Sequence, residues 1–353
     1  MRILAIESSC DETAAAIVED GITILSNVVA SSKELHHKYG GIMPELAARE
    51  QLSSILPVIQ EALKILPQEK NVIKTISKHI DAIAITIGPG LIGSLLVGVE
   101  TAKTMAMLTG VPIIPVNHVL AHMYANFIDK NNIIFPAISL VVSGGHTELY
   151  LMKSPNKLTW LGGTLDDAAG ECFDKTARLL GFGNEGGVAI AKAAKWHHPS
   201  KKPSIIKLPR PMLDEKNEYN FSFSGLKSAI VRLVTTLKTK TPDQSLTPDI
   251  IANLSYETED AITDVLVKKT LMAAEKHGAK SILLSGGVAA NIKLREKFIS
   301  HIKQSQSSLS FHVPPIELCT DNAVYIASCA FFMGNPTPWQ EITATPDLTV
   351  EQP

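Results

Sequence analysis

Two stretches about half a chain apart share one plan. ILAIESSCDETAAAIVED (residues 3–20) reads as an apolar strand, a hydroxyl-rich turn and a second strand. ISLVVSGGHTELYLMKS (residues 138–154) repeats it, again with Thr directly after the turn. A duplicated strand–turn–strand unit restricts the chain to architectures made of two related halves, because each half needs its own covering helices to bury the sheet it starts. The length agrees with this, since 353 residues with 45% hydrophobic content exceed what a single core usually organises.

The segments between and after the two copies fill in the halves. An amphipathic helix is expected from about Pro44 to Leu66, then a strand over 81–87, the turn GPGLIGS, a helix to about Leu108, a short strand over 112–116 and a helix carrying 116-VNHVLAHMYAN-126. After the second copy come DDAAGECFDKTARLLG, GGVAIAKAAKW, FSFSGLKSAIVRLVTTL, a long helix from about Pro248 to His277, and the strand, glycine turn and helix start 281-SILLSGGVAANIKLR-295. A helix over 321–333 and a Pro- and Thr-rich tail close the chain. This arrangement is similar to the two-lobed α/β layout of the actin, Hsp70 and sugar-kinase superfamily (ASKHA), whose duplicated lobes enclose a cleft. The expected division is residues 1–134 with the C-terminal helix 321–335 as one lobe, 135–320 as the other, and 336–353 as an irregular tail.

Composition removes several function classes. A net charge of −2 lacks the cationic excess of an autonomous nucleic-acid binder, so any such contact must be local or shared with a partner. The four cysteines, Cys10, Cys172, Cys319 and Cys329, form no C-x-x-C pair, which argues against a disulfide framework and a thiolate zinc site and for a reducing, cytoplasmic setting. No stretch approaches the ~18 uninterrupted apolar residues of a membrane span. Neither G-x-x-x-x-G-K-[ST] nor G-x-G-x-x-G occurs, which removes P-loop and dinucleotide-binding readings.

Two features carry chemistry. His118 and His122, four apart on a helix, present both imidazoles on one face, the spacing of two ligands of one metal ion and equally of two buried histidines bonded to backbone. A zinc-protease reading fails because H-E-x-x-H needs Glu after the first His, and Val119 stands there. The turns Ser143–Gly145 and Ser285–Gly287 each follow an apolar strand, so their unhindered amides suit an anion, although a tight turn alone also explains each.

Read in order, ESSCDET, YGGIMPELAARE, GPGLIGSLLVG, NHVLAH, VSGGHTEL, DDAAGECFDKTARLLG, FSFSGLKSA, SGGVAAN and CTDNA resemble the successive motifs of the tRNA N6-adenosine threonylcarbamoyltransferases, the bacterial TsaD family once labelled O-sialoglycoprotein endopeptidase. The resemblance spans roughly residues 1–335. It implies a divalent metal ion, iron first and zinc as the alternative, held by His118, His122 and Asp321. It implies threonylcarbamoyl-AMP bound by Val141, Val142, Ser143, Gly144 and Gly145 along the phosphate and acyl part, by Asp174 and Gly187 near the ribose and adenosine, and by Asn291 at the nucleoside. The implied reaction transfers the threonylcarbamoyl group to N6 of adenosine 37 in tRNAs reading ANN codons, forming t6A and releasing AMP. No general base is evident, and Glu12 and His146 are candidates only by position. The alternatives are an ATPase or kinase of the same fold and a non-catalytic scaffold subunit.

The chain departs from the family pattern at Leu120, where Glu is usual, at Gln51, where His is common, and at Val188 and Ala191, which replace a Pro and an acidic residue. The resemblance also implies partners, namely tRNA, a smaller TsaB-type paralogue and a TsaE-type ATPase, and no membrane. The helix 44–66 and the GPGLIGS helix are the candidate pairing face. The segment 192–211 gathers Lys192, Lys195, Lys201, Lys202, Lys207 and Arg210 around Trp196 and reads either as a phosphate-tracking patch for tRNA or as a solvated loop.

Overall fold

The computed structural model describes residues 1–37, 41–130, 132–183, 186–197, 204, 206–213, 218–239, 245–306 and 308–350. The chain divides into two compact units, one of residues 1–133, 155–157 and 314–353 and the other of residues 134–154 and 158–313. The first unit is built on β1 (Arg2–Glu7), β2 (Glu12–Glu19), β3 (Thr23–Ser31), β4 (Ala82–Gly88) and β5 (Ile113–Asn117) in the order β3-β2-β1-β4-β5. The central strand β1 pairs antiparallel with β2 and parallel with β4, and its residues Ile3–Glu7 are all buried, as a strand covered on both faces must be. Around it run α1 (Lys33–His37), α2 (Pro44–Leu63), α3 (Val72–His79), α4 (Ile92–Thr109) and α5 (His118–Tyr124). Leu4, Ile6, Ile17, Ile55, Ile59, Ile83, Ile85 and Val99 belong to the core they share. The α2 helix stops at Leu63, short of the expected Leu66, where Gln68 Nε2 donates to the carbonyls of Leu63 (2.8 Å) and Leu66 (2.9 Å).

The second unit repeats the plan. Its strands are β6 (Ala137–Val142), β7 (Thr147–Ser154), β8 (Lys157–Gly163), β9 (Ser281–Ser285) and β10 (Ser310–His312), ordered β10-β9-β6-β7-β8. Traversed from β8, this is the order of the first sheet, with the central β6 antiparallel to β7 and parallel to β9. The two turns quoted at the outset therefore join equivalent strand pairs, β1 to β2 and β6 to β7. Helices α6 (Ala169–Leu179), α7 (Gly186–Ala194), α8 (Ser224–Lys238), α9 (Pro248–Lys276) and α10 (Ile292–Gln304) complete the unit. Thr247 caps α9 by accepting from the Ile250 amide, and Pro248 occupies the first turn, where its missing N–H costs nothing. Among the described residues no helix is long and apolar enough to cross a membrane, and all four cysteines are free thiols.

The chain ends in the first unit. Helix α11 (Val324–Met333) packs on α5 and β1. It starts at Val324, not at Asp321 as the sequence suggested, because Asn322 Oδ1 accepts from the Val324 amide (3.0 Å) while Nδ2 donates to the Thr320 carbonyl (2.7 Å), which locks 320–322 as a loop. Asp321 thereby stands on that loop. Beyond Gly334 the Thr337 amide donates to the Ile113 carbonyl (2.9 Å), the Thr345 amide to that of Ile87 (2.7 Å), and Ile342 is buried in the core of the first unit.

Candidate functional site

Helix α5 begins where Asn117 Oδ1 accepts from the amides of Val119 (2.9 Å) and Leu120 (3.2 Å), and this cap fixes the helical phase of the two histidines that follow. His118 and His122 lie on one face with ring centroids 4.8 Å apart and only 7% and 2% exposed. Asp321 reaches them from the loop before α11, its Oδ1 lying 3.7 Å from His118 Nε2 and 3.5 Å from His122 Nε2. One ligand atom from each of the three lies within 4.8 Å of the others. Tyr325, one turn along, donates its hydroxyl to Asp321 Oδ1 (3.2 Å) and packs its ring on His122 at 4.6 Å.

The far side of His118 meets Glu7, the last residue of β1 and fully buried. Glu7 Oε2 accepts from His118 Nδ1 (3.1 Å) and Thr86 Oγ1 (2.5 Å), and Oε1 accepts from the Ser9 amide (2.6 Å). Burial works against its charge, but His118 and these hydrogen bonds outweigh it and hold the carboxyl below its ordinary value. Burial likewise works against the His118 imidazolium, yet Glu7 and Asp321 push its pKa up to about 9. Two carboxylates thus create a field that attracts a cation, and a divalent ion suits that field in place of the proton. The residues present fit a metal ion: two imidazoles and one carboxylate converge, with His118 Nδ1 already committed elsewhere.

Sequence reasoning missed Glu7, Thr86 and Tyr325. The available signal was a carboxylate ending the otherwise apolar strand ILAIE, where a buried charge demands partners. The turn after Glu7 is held by the elements the motifs named. Gln51 Nε2 lies within hydrogen-bonding distance of the carbonyls of Cys10 (2.8 Å), Glu12 (3.1 Å) and Ser8 (3.4 Å), and Ser94 Oγ donates to the Cys10 carbonyl. A Cβ at Gly98 would overlap Ser8 Oγ, which is why α4 needs glycine there to approach. Burial first, then the hydrogen bond and charge of Asp11, push the Glu12 carboxyl up to about 9, which favours its protonated form. Leu120 is 9% exposed and contributes no polar atom to the centre.

In the second unit the turn after Val141 and Val142 is closed by the Ser143 amide donating to the His146 carbonyl (2.8 Å). Gly144 and Gly145 face open space, since a Cβ on either meets nothing within 4 Å. The start of α6 abuts this turn, with the Gly170 amide donating to the Ser143 carbonyl (3.2 Å), and Gly286 lies against the Val142 backbone with φ +89°. Both glycine turns therefore meet. Asp174 on α6 lies against Gly186 of α7, where a Cβ would overlap its Oδ1, while the neighbouring Gly187 packs on Phe173. Asn291 caps α10, its Oδ1 accepting from the Leu294 amide (2.9 Å) while Nδ2 donates to Glu259 Oε1 (2.7 Å). These two bonds use one of its two amide hydrogens and one of its two carbonyl lone pairs. Val188 is 63% exposed, and Ala191 is half-buried.

In the basic segment Lys201 and Lys202 lie outside the described residues, and Arg210 is engaged within the unit. Its guanidinium is bound to Glu257 (3.1 Å), Asp260 (2.6 Å) and Asp264 (3.1 Å), three carboxylates on one face of α9. Lys192, Lys195 and Lys207 are exposed, and Trp196 is 81% exposed.

A family model described as "TsaD: tRNA N6-adenosine threonylcarbamoyltransferase" matches residues 23–328. A tRNA N6-adenosine threonylcarbamoyltransferase of Dehalococcoides mccartyi is 46% identical over 332 residues, covering 94% of this chain and 93% of the relative. One of Listeria innocua is 43% identical over 352 residues, covering 99% and 96%. Among solved structures, full-length HypF in its phosphate- and nucleotide-bound form superposes with a TM-score of 0.58 at 13% identity, over 94% of this chain and 46% of HypF, a likeness of fold alone. It accords with the two-lobed α/β fold of the actin, Hsp70 and sugar-kinase type.

Proposed function

The chain belongs to the tRNA N6-adenosine threonylcarbamoyltransferase (TsaD) family, and from that premise we propose that it transfers the threonylcarbamoyl group of threonylcarbamoyl-AMP to N6 of adenosine 37 in ANN-reading tRNAs. A bond forms between N6 and the carbamoyl carbon, the bond from that carbon to the phosphate oxygen breaks, N6 loses a proton and AMP leaves. The observation that carries the reading is the convergence of the buried His118 and His122 with the partly exposed Asp321, drawn from positions some two hundred residues apart in a chain whose residues 23–328 match the family model.

Each unit contributes separately. In the first, His118 Nε2, His122 Nε2 and Asp321 would hold a divalent ion, with iron as our assignment and zinc the alternative that the same donors accept. Such an ion supplies Lewis acidity toward substrate oxygens. In the second, the open turn Ser143–Gly145 offers backbone amides to the adenylate phosphate and the departing charge, with Asp174 and Gly187 toward the ribose and Asn291 toward the nucleoside. With tRNA as its substrate, we assign the reaction to the cytoplasm. A smaller TsaB-type paralogue would pair on the apolar outer faces of α2 and α4, and a TsaE-type ATPase would complete the assembly.

The test is reconstitution with threonylcarbamoyl-AMP, tRNA, metal and partners, followed by mass spectrometry of tRNA nucleosides. We expect t6A with one AMP released per transfer, and loss of both bound metal and t6A in His118→Ala and Asp321→Ala. Release of ADP from ATP without t6A would favour the ATPase or kinase reading, and t6A formation without this chain would reduce it to a scaffold.

A further inference from the structure

We propose that Glu7 is a positioning residue for the metal centre, holding His118 with Nδ1 protonated so that Nε2 alone is presented to the ion. The inference rests on the metal reading above. Glu7 does not reach the centre itself; it acts through the 3.1 Å hydrogen bond that its Oε2 accepts from His118 Nδ1. That leaves His118 Nε2 as the nitrogen on the Asp321 side, 3.7 Å from Oδ1.

Three features fit this role better than a simple buried ion pair. The carboxylate is fixed from three directions, by Thr86 on β4, by the Ser9 amide in the turn and by His118 on α5. With 0% exposure it cannot swing away to solvent, and a buried carboxylate short of donors would be strongly disfavoured. Moreover α5 supplies no acid of its own, because Val119, Leu120 and Ala121 lie between the two histidines. A carboxylate that accepts from a ligand imidazole fixes the ring and its tautomer and raises the basicity of the other nitrogen, and losing such a partner typically weakens metal binding ~10- to 100-fold.

The full chain is titrated with Co²⁺, followed by its visible absorption, and with Zn²⁺ by calorimetry, as parent, Glu7→Gln and Ile85→Val. Glu7→Gln should keep its circular dichroism spectrum and bind either ion about 10- to 100-fold more weakly. Ile85→Val trims the buried core beside Glu7 without touching its hydrogen bonds and should stay within about threefold of the parent. Binding by Glu7→Gln within about twofold of the parent overturns the proposal, as does an equal loss in Ile85→Val, which would make the effect one of packing. If Glu7→Gln does not fold, ¹⁵N spectra of the zinc-loaded parent decide: a protonated Nδ1 and ligated Nε2 on His118 support it, and ligation through Nδ1 overturns it. A parent that binds neither ion overturns the metal reading itself, and this inference with it.

Discussion

Asp260 shows how a single side chain can carry a region of the second unit. Its carboxylate meets Arg210 Nη2 at 2.6 Å and the ammonium groups of Lys293 and Lys297 at 2.9 Å each. Lys293 is further held over the Tyr256 ring, 3.7 Å from its centroid. Burial raises the Asp260 carboxyl, but the hydrogen bonds and charges of Lys297 and Lys293 outweigh it and bring it down to about 2, from an ordinary 3.8. Because the folded value is depressed, the stabilisation is fully present above about pH 4 and is lost as pH falls through about 2; the difference corresponds to about 2 kcal/mol. Asp260→Asn should therefore lower unfolding free energy by about that amount at pH 7, measured by urea melts. The gap between parent and variant should close between pH 4 and pH 2, and a gap that stays constant across that range would mean the loss is not electrostatic. None of this was legible in sequence, where Arg210 looked like one more cation of a basic run. Its three carboxylate partners lie forty-seven or more residues away.

Helices α2 and α4 show what an element's two faces do. Inward, Ile55, Val58, Ile59 and Ala62 of α2 and Leu95, Val99 and Ala102 of α4 are buried, and α2 packs on α4. Outward, α2 presents Leu52 and Leu56 at 66% and 58% exposure, and α4 presents Ile92 and Leu96 at 51% and 44%. Pairs four residues apart form a stripe on each helix, the exposed apolar surface on which the proposed paralogue would pair. Leu56→Asp combined with Leu96→Asp should abolish co-elution with the smaller paralogue while leaving zinc binding as in the parent. Undiminished co-elution would move the interface elsewhere. Helix existence and approximate bounds were readable from apolar periodicity. The exposure of these four residues was not, because the same periodicity describes a helix buried more deeply.

Across the whole molecule the formal charge is −2, yet the substrate is a polyanion, so tRNA affinity must come from local cations or from partners. Lys195, Trp196 and Lys207 are exposed in the second unit, and an indole 81% exposed is free to stack on an unpaired base. Replacing all three by Ala should weaken tRNA binding and flatten its dependence on log salt by roughly 1.4 to 1.8, two phosphate contacts at ~0.7 to 0.9 each. Parental affinity and slope in fluorescence titrations would leave this segment a solvated face. The sequence by itself determined the duplicated halves, the apolar strands, the glycine turns and the paired histidines. Those features depend on local periodicity and on backbone freedom, which neighbouring residues specify. Tertiary structure alone decided that Glu7 stands behind His118, that Asp321 lies on a loop ahead of its helix, that Gln51 ties the first turn and that Arg210 is held by three carboxylates. Each of those depends on a hydrogen bond or ion pair between residues distant in the chain or on a cap competing with a helix, and such partners are chosen only when packing brings their elements together.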